Sequence, residues 1–461
     1  MRDHDLTVGP ISGHFRTLAI PAAMGMLFTT LYNVVDIYFA GQISTEAQAG
    51  LAIGFQAFFI MMAVGFGTGS AMSALVGNAR GKKDDMTARR TAMQGISFAI
   101  VAVLVLIVLG ALAGPSLIDL ISEPGGYRDA AQGYFFWLLA SLPGFLIAYA
   151  ANGILQAHGD SVTMQRAMMA AFFANIVLNP LLIYGIPGII PGMGFNGIAL
   201  ATVISQTGVM LFVLRAVLAL RVIKGATLRE LKPNLAVYRE IFMQMIPTAS
   251  AFMVMFISGF VVQFALKGFG EEAIAAYGIA LRIEQILLLP VFGMTGALLP
   301  IAAQNFGAEN FDRVREALWF CWKLGLLMTI SAAPILWFAG GWAMSLFTAD
   351  VPVIDIGISY LRVDCFLFIL YMFLFSINSL LQALKRPVWV LWISIYRQGF
   401  GVAFFVWLMI GVFGLGVWGV WLGIALAVST GWVIALFIVR RLAHAEIGGL
   451  RPAPTIGDVA K

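Results

Sequence analysis

Charge is scarce in this sequence. Asp, Glu, Lys and Arg make up only 11% of its 461 residues, less than half the share of about 25% in ordinary soluble domains. That composition excludes a water-soluble globule. Cysteine is scarcer still: Cys321 and Cys365 both lie in apolar runs, which gives neither a disulfide framework nor a zinc spacing. They read as buried packing residues. The histidines, His4, His14, His158 and His444, stand near the termini or in loops, and none makes a convincing catalytic base. A glycine loop that would cradle phosphate is missing, as is any nucleophile with an evident base. No enzyme and no cofactor are expected, and an ion gradient is left as the energy source. The opening stretch MRDHDLTVGPISGHFR mixes both signs of charge and lacks a short apolar core ahead of a cleavage site. No signal peptide is expected, so the first apolar run stays in the chain.

What is abundant is apolar sequence, 61% of the total, arranged in runs long enough to cross a bilayer at ~20 residues each. Twelve spans are expected, at 14–40, 47–77, 92–118, 131–156, 164–185, 195–220, 239–266, 272–304, 316–342, 354–383, 388–411 and 417–441. The fold class is therefore an all-α polytopic membrane protein, since only helices and closed barrels satisfy a backbone in lipid. The net charge of +5 points to membrane topology rather than nucleic acid. Basic residues fall in alternate loops: Arg80, Lys82, Lys83, Arg89 and Arg90, then Arg166, then the central connection, then Arg313, Arg315, Lys385 and Arg386, then Arg440 and Arg441. The opposite loops hold only Arg128 and Lys267. This asymmetry places both termini in the cytoplasm of a multi-pass inner-membrane protein.

The two halves are related. A shift of 226 positions puts Ile20-Pro21 on Ile246-Pro247, Glu46-Ala47 on Glu272-Ala273, Phe66-Gly67 on Phe292-Gly293 and Arg89 on Arg315. The same shift puts Leu155-Gln156-Ala157 on Leu381-Gln382-Ala383; near the end it drops to 222, with Gly192 on Gly414 and Gly197 on Gly419. Six spans thus repeat in the same orientation, an arrangement used by transporters. The expected domains are an N-terminal six-helix lobe (1–220), a cytoplasmic linker (221–238), a C-terminal six-helix lobe (239–443) and a cytoplasmic tail (444–461). Pro21 and Pro247 either bend the opening helix of each half or sit in its first turn.

Asp36 lies in the first span, and its repeat position is Val262. An acid at membrane depth is costly unless it faces a cavity, a partner or an ion. The fifth span carries Asn175 and Asn179, one turn apart on one helix face; the sixth carries Thr202 and Gln206 in the same relation. An acid, two amides and a hydroxyl offer oxygen ligands to a hard cation, or a polar setting for a protonatable acid. Interhelical hydrogen bonding alone is the plainer reading.

The twelve spans, the repeat, the Asp36 segment, NIVLNPLLIYG from Asn175, GMGFNGIALATVISQ from Gly192 and NFGAENFDRVRE from Asn305 together resemble the multidrug and toxic compound extrusion (MATE) family, closest to its bacterial DinF-like branch. The resemblance covers nearly the whole chain. It implies export of amphipathic, cationic or aromatic compounds in exchange for inward H⁺ or Na⁺. It implies a cation or proton site at Asp36, Asn175, Asn179 and Thr202, with Asp36 as the metal ligand if Na⁺ is the coupling ion. The family's fifth-span acid is Asn179 here, and losing that carboxylate favours H⁺. The expected partners are a small amphipathic substrate, the coupling ion and the bilayer, for a monomeric protein. A lipid-linked oligosaccharide flippase of the same superfamily is the alternative.

The second half has charges of its own: Arg282 and Glu284, Arg362 and Asp364, and Arg397. Intramembrane charges tend to pair, so Arg397 is expected to neutralise Glu284 or Asp364 within a cluster that includes Arg282. Tyr32, Met61, Met253, Phe256 and Gln206 are the candidate substrate-cavity residues. Thioethers and aromatic rings accept many lipophilic shapes, although most apolar residues in such helices face lipid or core.

Overall fold

The structure is a computed structural model and describes residues 4–122, 124–189 and 191–452. Among the described residues, twelve helices are long and apolar enough to cross a membrane. They are α1 Ile11–Ile43, α2 Thr45–Gly81, α3 Asp85–Ile121, α4 Gly126–Ala157, α5 Val162–Tyr184 and α6 Phe195–Leu218. In the second half come α7 Leu235–Leu266, α8 Glu271–Gly307, α9 Phe311–Ser345, α10 Val351–Ala383, α11 Val388–Val412 and α12 Gly416–Ile447. Most run several residues past the expected limits, because Ser44 and Asp84 cap α2 and α3 outside their apolar stretches. The repeat extends to helix ends. Thr45 and Gly81 bound α2, and Glu271 and Gly307, the positions 226 further on, bound α8.

Loop geometry repeats as well. After α2 the backbone of Lys83 is left-handed (φ 57°), and after α8 that of Glu309 is too (φ 59°). Each lets the next amide close a six-residue turn onto the helix, Asp84 N to Ala79 O at 3.1 Å and Asn310 N to Asn305 O at 2.9 Å. A side chain in this region costs about 1 kcal/mol relative to glycine. Lys83→Gly is therefore expected to stabilise the fold by about 1 kcal/mol, read as a higher thermal midpoint in detergent.

The chain divides into two compact units. The first joins Met24–Ala249 with the residues up to Asp5; the second joins Leu6–Ala23 with everything from Ser250 on. The division falls inside α1 and α7, two residues after Pro21 and Pro247 in each case. Neither proline is in a first turn; both helices run through them.

In the first unit, α2 and α4 form the centre. Lipid offers no hydrophobic drive between helices, so close approach depends on small residues. A Cβ on Gly54 would lie 2.9 Å from the Ala131 carbonyl oxygen, one on Gly69 2.8 Å from that of Tyr149, and one on Gly153 only 2.0 Å from that of Gly69. This stripe brings the backbones together, and α6 packs on the far side of α4 through Gly144. The linker lies over the start of α3, where Arg89 pairs with Glu230. That pairing holds the Glu230 carboxyl below the usual carboxylate range. The contribution is complete above the ordinary Glu value and is lost as pH falls through the lowered one.

In the second unit, α8 and α10 pack face to face beside α9, with Gly325 of α9 set against Met294 and Met372. α11 is irregular: Ile395–Gly401 and Leu408–Val412 are π-helical. Such wide turns in an α-helix are rare and gather at functional positions.

Candidate functional site

Asp36 is 4% exposed, and Asn175 and Asn179 are wholly buried. α5 and α6 meet tightly at one end, where a Cβ on Gly197 would be 2.6 Å from the Leu182 carbonyl carbon. The loop between them folds back, with Met193 N donating to Leu182 O at 2.8 Å. That closeness puts the two amides of α5 and the hydroxyl of α6 around one carboxylate. Asn175 Nδ2 and Asn179 Nδ2 donate to Asp36 Oδ1 at 3.0 and 2.9 Å. Thr202 Oγ1 donates to Oδ2 at 3.2 Å. Asn179 Nδ2 also donates to Asn175 Oδ1 at 3.1 Å, which orders the pair. All four residues named from the sequence are thus in direct contact within the first unit.

The two carboxylate oxygens differ. Oδ1 takes two amide donors and is filled; Oδ2 takes one long hydroxyl bond and keeps a free lone pair. A proton on Oδ2 therefore needs no rearrangement of the amides. Nearby oxygens are available too: Asn179 Oδ1, Ser205 Oγ and the Tyr32 hydroxyl are buried without a hydrogen-bond partner among the described residues. A hard cation prefers several oxygen ligands, carboxylates among them, and here one carboxylate is present. No group of three or more His, Cys, Asp and Glu residues suited to a metal occurs among the described residues.

The cavity candidates fall in both units. Tyr32 and Gln206 are buried in the first unit at 3% exposure each, and Tyr32 lies one turn before Asp36. Met61 belongs to the packed core of the first unit, and its methyl fills the space a Cβ on Gly110 would need. Met253 and Phe256 are half-buried on α7 in the second unit. Ser205, four residues before Val209 and one turn from Thr202, carries no signal in the sequence. A serine in a membrane helix is too common to stand out.

The charges of the second half separate into two sets. Glu284, Asp364 and Arg397 are buried, whereas Arg282 and Arg362 are exposed. Arg282 therefore falls outside the expected cluster. It is two residues before Glu284, which turns it to the opposite side of the helix. Arg362 stands 5.5 Å over the Trp337 ring, a cation–π contact. Arg397 makes no ion pair within 4 Å among the described residues. Its stem runs along Gly431 of α12, where a Cβ would be 2.9 Å away. Glu284 instead accepts the Tyr360 hydroxyl at 2.7 Å. Both Asp364 oxygens are buried without a hydrogen bond among the described residues. Tyr360 is readable in hindsight, one helical turn before Asp364, and its ring packs edge-on to Tyr277 and Trp421.

Comparison with known proteins follows the same lines. A family model described as MatE matches residues 21–184 and 247–407, one stretch in each half. The FAD transporter of Shewanella oneidensis is 26% identical over 77% of this chain and 78% of its own length. A probable multidrug resistance protein NorM of Thermotoga maritima is 26% identical over 88% of this chain and 87% of its own. The multidrug export protein MepA of Staphylococcus aureus is 24% identical over 83% and 84%. A crystal structure of MATE in the bent conformation superposes with a TM-score of 0.88 at 24% identity, covering 95% of this chain and 97% of that one, which establishes the shared fold. With both halves matched by the family model and twelve membrane-length helices in that fold, the chain belongs to the MatE family of membrane transporters.

Proposed function

We propose that this protein is a secondary active antiporter that exports amphipathic, cationic or aromatic compounds in exchange for inward H⁺. The single observation that carries this reading is the buried Asp36 carboxylate, held by three donors from α5 and α6. Hydrogen bonds to a charged acceptor are roughly twice as strong as neutral ones. Protonating Asp36 weakens all three at once and loosens the tie between α1 and its two neighbours. An ion drives transport only by favouring one conformation over another, and this tie is a place where a proton does so. The open lone pair on Oδ2 and the absence, among the described residues, of a second carboxylate beside it favour H⁺ over Na⁺. The pair Glu284 and Asp364 is a second buried acidic site open to the same role.

The transporter sits in the inner membrane with both termini in the cytoplasm, as the distribution of Lys and Arg supports, and works as a monomer with its repeats (1–220 and 239–443) as lobes. A specific observation widens the substrate class. The Shewanella relative is an FAD transporter, so an aromatic ring system carrying phosphate stands beside organic cations as cargo. Dye efflux from proteoliposomes tests the coupling. An imposed pH gradient is expected to drive export at least tenfold above the ungraded rate, and a sodium gradient alone to leave it unchanged. The opposite pattern would assign the coupling to Na⁺, with Asp36 as its ligand.

A further inference from the structure

At the start of α3 the linker closes over the helix and leaves a cavity. Arg89 donates through Nε to Glu230 at 2.8 Å and through Nη2 to the Gly225 carbonyl at 2.8 Å. Gln94 donates to the carbonyls of Glu230 and Lys232 at 2.6 and 2.9 Å. Under these bonds lies a cavity of about 910 Å³, within the first unit, whose wall includes Arg90, Arg221, Lys224, Arg229 and Lys232. The side chains of these five make no hydrogen bond or ion pair among the described residues. Glu230 is taken up by Arg89, and Asp85 is the one other acid on the wall.

The repeat separates what the fold needs from what it does not. Arg315, the counterpart of Arg89, donates to the Ile447 carbonyl at 2.8 Å, and Ile447 is the counterpart of Gly225 by the shift of 222. The clasp therefore belongs to both halves. Most of the surrounding charges do not: Arg90 becomes Glu316, Lys224 becomes Glu446 and Arg221 becomes Ala443, whereas Arg229 has a counterpart in Arg451. Topology asks for bases on one side of the membrane, and that demand does not gather five unpaired ones around a single cavity. Beside them, Met86 is 82% and Leu228 85% exposed. Apolar side chains next to unpaired cations at the end of a membrane helix match a ligand that is anionic at one end and oily at the other.

We propose that this cavity binds the headgroup of an anionic phospholipid, most strongly one with two phosphates. The site lies apart from Asp36 and is independent of the transport reading. Native mass spectrometry of the full chain, purified in detergent and supplied with diphosphatidylglycerol or phosphatidylcholine, tests it. The intact protein is expected to retain the diphosphate lipid selectively. Each base near a membrane surface contributes about fivefold in binding, so R90Q/R221Q/R229Q/K232Q is expected to lower retention at least tenfold. R90K/R221K/R229K, which keeps the charge, is expected to stay within threefold of the parent and guards against misfolding. K82Q/K83Q/R440Q/R441Q, which removes four bases of the same membrane side from outside the cavity, is expected to change retention less than twofold. Equal retention by the first variant, or an equal loss in the last, overturns the proposal. So does displacement of the lipid by millimolar inorganic pyrophosphate, which would assign the cavity to a free phosphate.

Discussion

Asp36→Asn is expected to bring gradient-driven export down to the level of empty vesicles while the protein still reaches the membrane in normal amount. The substitution keeps size and shape. Its carbonyl oxygen still accepts from Asn175 and Asn179, and its amide faces Thr202, whose hydroxyl accepts as readily as it donates. The cradle is thus satisfied in a permanently neutral form, equivalent to the protonated acid. The variant is expected to bind its compound yet fail to respond to a pH gradient. Drug resistance in an efflux-deficient host, with membrane abundance measured beside it, checks both halves of this expectation. Full resistance would remove Asp36 from the mechanism. Asn179→Asp makes the complementary change, adding a second carboxylate one turn from Asn175. Two buried acids this close do not both ionise at once, so a cation that joins them gains an advantage, and sodium dependence is expected to emerge.

Gly153→Val carries the largest expected loss of stability. A Cβ at this position would lie 2.0 Å from the Gly69 carbonyl oxygen and 2.8 Å from its carbon. The obstacle is backbone, so rotamer changes give no relief and α2 must move away from α4. Overpacking a core of this kind costs about 3 kcal/mol or more. The shift reaches α6, which packs on α4 through Gly144, and hence Thr202. Sharply reduced yield of folded protein in mild detergent is the expected result, with aggregation on size-exclusion chromatography as the readout. A wild-type elution profile would show that the contact is looser than this spacing.

Much of this architecture is legible in the sequence, because a bilayer leaves few choices. Each apolar run of spanning length becomes a helix, and the bases sort the loops. The polar cradle was legible for a related reason: Asn175 and Asn179 at helical spacing can only share a face, and an acid in the opening helix needs such a face. The second half resisted the same logic. Opposite charges at membrane depth suggested an ion pair, but pairing depends on where a long stem is led. Gly431 leads Arg397 along α12, and a tyrosine one turn from Asp364 reaches Glu284 first. The α2–α4 glycine stripe was equally hidden. The chain has 49 glycines, and nothing in their spacing marks which ones touch backbone.

The wide turns of α11 fall in the stretch where the polar residues of the two halves differ. Each residue of a helix advances the face by about 100°, and a wide turn takes in an additional residue without interrupting the helix. Downstream side chains are then swung around the axis relative to those of α5, although both elements still cross the same thickness. Evolution can therefore re-aim one wall of a duplicated bundle by a single inserted codon, leaving length, hydropathy and neighbours almost untouched. Where α5 offers Asn175 and Asn179, α11 offers Gly401 and Phe405 at the corresponding numbers, and its buried charge is Arg397, inside the first of these turns. A symmetrical frame thus carries different chemistry in its two halves.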